Sequence, residues 1–277
     1  LNLGAVLIDQ GKSQEAEVST RKSIELNPNL FNSHFLLGTI LIRQKKLQEA
    51  EEALRKTIEL NPDFFQAHLN LGLVLKDLGK LQEAEVSTRK SIELNPDFAK
   101  AHSNLGIILH DLGNLKEAET STRKAIEINP DLADVHSIHG VILRALGNLK
   151  EAEISTRKAI EINPDLASAH SNLGTILIDL GNLKEAETST RKAIKINPDL
   201  ADAHSNLGTI LIDLGKLNES ILCYEKAISL DENIDEAKAG IGQIKLMKGK
   251  LKEGIDQIRE AEGSINFNYK NSHIIIN

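Results

Sequence analysis

The sequence predicts an all-α fold, an α-solenoid of about eight helix-turn-helix units that are each 34 residues long. All six prolines recur at this interval, each directly after an asparagine, and fifteen of the eighteen glycines follow the same period. Aromatic residues make up only 3% of the chain, which favours helices over a β-sandwich or barrel. One helical hairpin cannot bury two apolar stripes by itself, so neighbouring units must stack into a continuous core.

The prolines set the boundaries of the units. They are Pro28, Pro62, Pro96, Pro130, Pro164 and Pro198. When each unit begins three residues after a proline, the solenoid covers residues 1–263 and the units are 1–30, 31–64, 65–98, 99–132, 133–166, 167–200, 201–234 and 235–263. The first unit is partial and the last one is degenerate.

The unit 167–200 illustrates the elements in order. Apolar residues at Leu173, Ile176, Leu177 and Leu180 have helical spacing, which predicts a first helix over about 167–180. Gly181-Asn182 ends this helix. A second apolar pattern continues to Asn197-Pro198, where proline prevents further helix.

The segment 264–277 does not follow the repeat. From Ser264 to Tyr269 apolar and polar residues alternate, which is typical of a β-strand, and an isoleucine run follows His273. We expect this non-repeat tail to be the start of another domain rather than a segment packed over the last hairpin. The only methionine is Met247, so we also expect that Leu1 is not a native start and that residues precede it.

Composition indicates the class of protein. A single cysteine, Cys223, excludes an internal disulfide framework and suits a reducing compartment, so the expected location is cytoplasmic. No apolar run is long enough for a membrane span, so no membrane partner is expected. The net charge of -7 disfavours non-specific binding to nucleic acid.

Several repeated residues together resemble the tetratricopeptide repeat family. The matching residues in one unit are Leu173-Gly174, Ala186, Ala193 and Pro198, and the same positions hold Leu105-Gly106, Ala118, Ala125 and Pro130. The chain departs from the family pattern in having His instead of Trp at position 4 and usually Thr at position 24. The resemblance covers about residues 1–263. It implies a right-handed solenoid whose first helices line a concave groove, through positions 2, 5, 6, 9, 12 and 13, for extended peptides or partner helices.

Most of the other repeated residues are predicted to be structural. The glycines at position 8 cost helix stability, about 0.5–1 kcal/mol each, so we expect the two helices of a hairpin to approach closely there. Glu and Arg four residues apart on the second helices, as in Glu85 and Arg89, are expected to form solvated pairs. The position-4 histidines lie one unit apart, too far to share one metal ion, so we interpret them as half-buried packing residues.

No residues indicate catalysis. Identical acidic residues in every unit do not make a unique acid-base pair, and Cys223 has the sequence context of a core residue. We therefore expect no enzyme activity, no cofactor and no metal site.

The candidate binding residues lie at the groove positions. They are Asn70, Asn104, Asn172 and Asn206 at position 6, with the cations Lys76, Lys100 and Arg144. An asparagine row can bind the backbone of an extended peptide, since its amide both donates and accepts hydrogen bonds. It also resembles the asparagine ladder in the repeat arms of the O-linked N-acetylglucosamine transferases. The alternative is that these asparagines only stabilise neighbouring helices. The pattern of a carboxylate clamp for chaperone tails is not met, because only Asn70 and Lys100 match it.

Two functions remain open at this stage. The first is a non-catalytic scaffold that binds a protein or extended peptide in its concave groove. The second is the substrate-recruiting arm of a larger enzyme, such as a glycosyltransferase. Self-association through the ends of the solenoid is possible in either case.

Overall fold

A computed structural model describes residues 13–262, 265–268 and 273–276 of the chain. Within these ranges it contains fifteen α-helices and two short β-strands. The fold is an all-α helical repeat solenoid, as the sequence predicts. The chain divides into two compact units, Leu1–Asp131 and Leu132–Asn277, which we call the N-terminal and C-terminal halves.

The N-terminal half is built of helices that pack in sequential pairs. These are α1 (Ser13–Leu26), α2 (Phe31–Arg43), α3 (Leu47–Leu60), α4 (Phe65–Asp77), α5 (Leu81–Leu94), α6 (Ala99–Asp111) and α7 (Leu115–Ile128). The two helices of each hairpin pack together, and α2, α4 and α6 also contact one another in sequence. The first helices therefore form a layer of their own.

The C-terminal half repeats this arrangement. Its helices are α8 (Ala133–Ala145), α9 (Leu149–Ile162), α10 (Ala167–Asp179), α11 (Leu183–Ile196), α12 (Ala201–Asp213), α13 (Leu217–Leu230), α14 (Asp235–Met247) and α15 (Leu251–Glu262). Here α8, α10, α12 and α14 contact one another in turn. The predicted helices of unit 167–200 correspond to α10 and α11 and end within about one residue of the expected positions.

The segment after α15 forms two strands, β1 (Ile265–Asn268) and β2 (His273–Ile276), as its alternating pattern indicates. They pair antiparallel, with Ile265 opposite Ile276. Strand β1 also contacts α15.

The position-8 glycines lie where the two helices of a hairpin meet, which confirms the predicted cause. A Cβ added to Gly38 would lie 2.8 Å from Leu54 Cγ, and one added to Gly72 would overlap Thr88 Oγ1. Position 24 supplies the side chain that faces the glycine, and this side chain is a threonine in most units but Leu54 in one and Tyr224 in another. The missing side chain of the glycine therefore makes room for whichever residue stands at position 24.

Each of the seven hairpin turns that the structure describes contains one residue with a left-handed backbone. In most turns it is a glycine, such as Gly79 at φ 75°. The turn between α2 and α3 has Lys45 instead, at φ 59°. An L side chain is strained in this conformation by roughly 1 kcal/mol.

A charged network joins the second helices of adjacent units. Arg89 Nε donates to Glu85 Oε1 of its own helix at 2.9 Å, and Arg89 Nη2 donates to Glu117 of the next unit at 2.5 Å. The sequence predicts the first of these pairs, but the second joins residues 28 positions apart and needs the stacked structure. The arginine is about half exposed, so each pair contributes at most about 1 kcal/mol.

The position-4 histidines form hydrogen bonds to the loop that precedes their unit. His68 Nε2 donates to the carbonyl oxygen of Pro62 at 2.8 Å, and His170 makes the same bond to Pro164 at 2.9 Å. The histidine carbonyl in turn accepts a bond from a serine of the second helix, as in Ser87 Oγ to His68 O at 2.9 Å. These bonds give the histidines a structural role.

Candidate functional site

The four predicted asparagines lie on first helices and are half-buried. Asn70 is on α4 and Asn104 on α6, in the N-terminal half. Asn172 is on α10 and Asn206 on α12, in the C-terminal half. The two pairs are therefore described separately.

In the C-terminal half each asparagine amide is held by the preceding unit. Asn172 Nδ2 donates to Ser137 Oγ at 3.0 Å, and Asn206 Nδ2 donates to Ser171 Oγ at 3.1 Å. Both serines occupy position 5 of the unit before. These bonds orient the amides, and each Oδ1 oxygen has no hydrogen-bond partner within the part of the chain that the structure describes.

The asparagines of the N-terminal half lack this support. Position 5 of the preceding unit is Phe35 before Asn70 and Leu69 before Asn104, and neither side chain can accept a hydrogen bond. Sequence reasoning treated the four asparagines as equivalent. The distinguishing signal was a serine at position 5, which is readable from the sequence once stacking brings it opposite the next asparagine.

The predicted groove cations differ in how far they are neutralised. Lys76 Nζ lies 3.0 Å from Asp77 Oδ1, and Arg144 Nε lies 2.5 Å from Asp179 Oδ2 in the next unit. Lys100 is exposed and has no ion pair among the residues described. Two of the three cations are thus already paired with local carboxylates.

A cavity of about 360 Å³ lies along the first helices of the C-terminal half. It brings together three of the predicted residues, Arg144, Asn172 and Asn206. Small hydroxyl side chains occupy much of its wall, namely Ser168, Ser171, Thr175, Ser205 and Thr209. Val141, Leu200 and Ile234 are apolar, and Asp202 and Glu236 are acidic. The predicted Asn70, Asn104, Lys76 and Lys100 belong to the other half and do not line it.

A larger cavity, of about 710 Å³, lies in the N-terminal half between the second helices α3 and α5. Ile58, His68, Leu71 and Leu75 line it, together with Val86, which is 70% exposed. Sequence reasoning missed this crevice. Its signal is the apolar residue at position 22 of alternate units, where Val18, Val86, Ile154 and Leu222 are all exposed.

The remaining chemistry is sparse. Burial raises the pKa of the Cys223 thiol, and the Glu219 carboxylate raises it further, so little thiolate is present at neutral pH. Among the described residues, no three His, Cys, Asp or Glu side chains are placed to hold a metal ion together. None of the helices described is both long and apolar enough to cross a membrane.

Several solved structures share the fold. A chain of the APC/C hetero-tetramer Cut9–Hcn1 is 16% identical with a TM-score of 0.76, and the match covers 94% of this chain but only 51% of that one. A tetratricopeptide repeat protein from Parabacteroides merdae is 21% identical with a TM-score of 0.72, over 92% of this chain and 96% of that one. PilF from Pseudomonas aeruginosa is 20% identical with a TM-score of 0.58, over 72% and 88% of the two chains. This chain thus spans about half the length of the Cut9–Hcn1 chain that it matches. No curated protein sequence matches it significantly.

Family comparison identifies the repeats directly. Sequence models described as the tetratricopeptide repeat match residues 1–30, 20–52, 65–98, 99–132, 133–166, 167–200 and 201–234, and one described as the TPR repeat matches residues 38–79. These matches cover well over half of the chain. The chain therefore belongs to the tetratricopeptide repeat family.

Proposed function

We propose that this protein is a non-catalytic scaffold that binds an extended segment of a partner protein along its first helices. The binding site is the cavity of the C-terminal half, with Asn172 and Asn206 as its central contacts. Asn70 and Asn104 occupy the equivalent positions on the first helices of the N-terminal half. The binding role is the same if the repeats serve as the recruiting arm of a larger enzyme.

The observation that carries this proposal is the pair of oriented asparagine amides. Each Nδ2 is held by a serine of the preceding unit, at 3.0 Å for Asn172 and 3.1 Å for Asn206. An amide that is already oriented loses little conformational entropy when a ligand binds. The free Oδ1 oxygens can accept hydrogen bonds from backbone N–H groups, which every peptide carries whatever its sequence.

The lining of the cavity suits a polar chain in extended form. Serine and threonine hydroxyls can both donate and accept hydrogen bonds, so they can pair with either edge of a peptide. Only three of the residues that line the cavity, Val141, Leu200 and Ile234, are apolar. A peptide backbone fits this chemistry better than an apolar helix face does.

The experiment is a selection of random linear peptides on the wild-type protein, followed by calorimetric titration of the peptides obtained. Replacing both Asn172 and Asn206 by Ala is expected to weaken binding roughly tenfold, since each hydrogen bond contributes about 0.5–1.5 kcal/mol. Asn182→Ala is the matched control. Asn182 is exposed in the turn before α11, and its side chain makes no capping bond.

The outcomes separate the possibilities. Failure of the wild-type protein to select any peptide contradicts the proposed function. Peptides that bind the Asn172→Ala, Asn206→Ala variant and the wild type equally well would place the site elsewhere, for example at the crevice beside Val86. A circular dichroism melt of each variant checks that the fold is intact.

The groove cations provide a second test. Arg144→Glu is expected to weaken the binding of a partner that presents carboxylates to the cavity. Lys76→Glu and Lys100→Glu test whether the partner also contacts the first helices of the N-terminal half. Unchanged binding in all three would show that the partner is held by its backbone alone and that these cations are not part of the site.

A further inference from the structure

Tyr224 alters the packing of the first helices α12 and α14. It occupies position 24, where the described units otherwise have Thr20, Leu54, Thr88, Thr122, Thr156, Thr190 and Ile258. The side chain is 2% exposed and lies between two first helices. A Cβ added to Gly208 would lie 2.6 Å from its ring, and one added to Gly240 would overlap the ring.

The ring therefore ends the asparagine series. Position 6 of the last unit is Gly240, because the space that an asparagine side chain needs is filled by Tyr224. No asparagine follows Asn206 at position 6 in the described units. The interruption has a packing cause that lies on the second helix, α13.

Ser205 is left without the partner that Ser137 and Ser171 have. Ser137 and Ser171 each accept a hydrogen bond from the next asparagine, whereas Ser205 is followed by Gly240. Ser205 is 7% exposed and lines the cavity. Within the described residues its hydroxyl has no hydrogen bond. A nearly buried, unpaired hydroxyl at a cavity wall is a position for a ligand donor.

The cavity is acidic at this point. Asp202 lies one helical turn before Ser205 on the same face of α12, and Glu236 lies on the neighbouring helix α14. Both carboxylates line the cavity and neither has an ion pair among the described residues. Arg144, the cation of the cavity wall, is already paired with Asp179.

Resting on the proposed peptide-binding function, we infer that Ser205, Asp202 and Glu236 form a subsite for a lysine or arginine side chain of the bound segment. The cationic head donates hydrogen bonds to the two carboxylates and to Ser205 Oγ. The aliphatic stem lies against Leu200 and Ile234, which line the same cavity. The backbone of the segment binds the amides of Asn172 and Asn206, so these asparagines set the distance to the basic residue.

The chemistry favours an organic cation over a metal ion. Among the described residues no three His, Cys, Asp or Glu side chains are placed to hold a metal ion together, and only two carboxylates line this cavity. A lysine ammonium has three N–H donors and an arginine guanidinium has five, and both are matched by the acceptors here. The subsite is open to the groove, as a side chain that enters from a bound peptide requires.

The experiment compares the random linear peptides selected by the wild-type protein and by Asp202→Asn, Glu236→Gln. Wild-type peptides are expected to share a basic residue at one fixed position, and replacing that residue by norleucine should weaken binding about fivefold at low salt. The double variant should lose both the preference and the fivefold effect. Glu232→Gln is the matched control, since Glu232 is an exposed carboxylate in the preceding loop that does not line the cavity.

A second variant tests the subsite without removing charge. Tyr224→Thr, Gly240→Asn introduces the residue types of Thr190 and Asn172 in unit 167–200, extends the asparagine series and is designed to give Ser205 an amide partner. Peptides selected on this variant are expected to show a weaker basic preference, because the Ser205 acceptor is occupied while Asp202 and Glu236 remain. Wild-type peptides with no shared basic residue, or a basic preference that survives in Asp202→Asn, Glu236→Gln, would overturn the inference and leave the proposed function standing. A wild-type protein that selects no peptide overturns both.

Discussion

Arg144 Nε donates a hydrogen bond of 2.5 Å to Asp179 Oδ2 of the following unit. The sequence separation is 35 residues, so stacking of α8 against α10 brings the two side chains together. Arg144 lines the cavity of the C-terminal half. The pair neutralises a cation that the sequence alone presents as available to a partner.

This pair is expected to contribute little to stability, because Arg144 and Asp179 are 41% and 33% exposed. A double-mutant cycle with Arg144→Ala and Asp179→Ala should show a coupling energy below about 1 kcal/mol, which decreases further in high salt. Urea unfolding at two ionic strengths measures it. A salt-independent coupling of several kcal/mol would mean that the pair is desolvated.

Lys45→Gly is expected to stabilise the protein. Lys45 holds φ at 59° in the turn where other units have glycine. Relief of this strain should outweigh the destabilisation that comes from the greater chain entropy of glycine in the unfolded state. The free energy of unfolding should therefore rise by about 0.5 kcal/mol. The urea midpoint reports the change. The reciprocal variant Gly79→Lys, at φ 75°, should lower the midpoint, and a midpoint that rises there would refute the explanation.

The effect of Gly240→Ala on stability is expected to change sign when Tyr224 is replaced by Thr. Tyr224→Thr leaves a void between α12 and α14 and should cost roughly 3 kcal/mol. Gly240→Ala should cost about 1–3 kcal/mol in the wild type, since the new methyl group overlaps the ring. In the Tyr224→Thr background the same change should be neutral or stabilising, because alanine is the better helix residue. Thermal unfolding of the four proteins tests it, and additive effects would argue against direct contact.

Acid unfolding should depend on the carboxylates of the charged network. The hydrogen bond from Lys80 lowers the pKa of Glu51 below its ordinary 4.5, and the bond from Lys216 does the same for Glu187. Below pH 4.5 the unfolded state then binds more protons than the folded state. The stabilisation is full above this pH and is lost as the pH falls through the folded-state pKa.

Glu51→Gln and Glu187→Gln should therefore destabilise the protein by roughly 1–2 kcal/mol at neutral pH and by progressively less below about pH 4.5. Urea unfolding at a series of pH values measures the difference. Glu161→Gln is the control and should have a smaller effect, because 70% of the Glu161 side chain is exposed. A constant destabilisation at every pH would show that the effect is not one of ionisation.

The repeat and its helices were predictable because they depend on local chemistry. The prolines end the second helices, the turn glycines take the left-handed conformation, and apolar spacing marks the buried faces. The glycines at position 8 also implied close approach within a hairpin. Contacts between units were harder to predict from the sequence. The bond from His68 to the Pro62 carbonyl was not predicted either, although the two residues are only six positions apart.

The candidate site likewise has some features that the sequence predicts and others that depend on the tertiary structure. The sequence by itself determined that asparagines recur at position 6 of the first helices, since this needs only the 34-residue period. Only the tertiary structure decided that Asn172 and Asn206 are oriented by serines, that Arg144 is paired with Asp179, and that Tyr224 ends the series at Gly240. These contacts join residues from different helices. Their partners are set by how neighbouring helices stack, which the chain acquires only when it buries both apolar stripes of each unit.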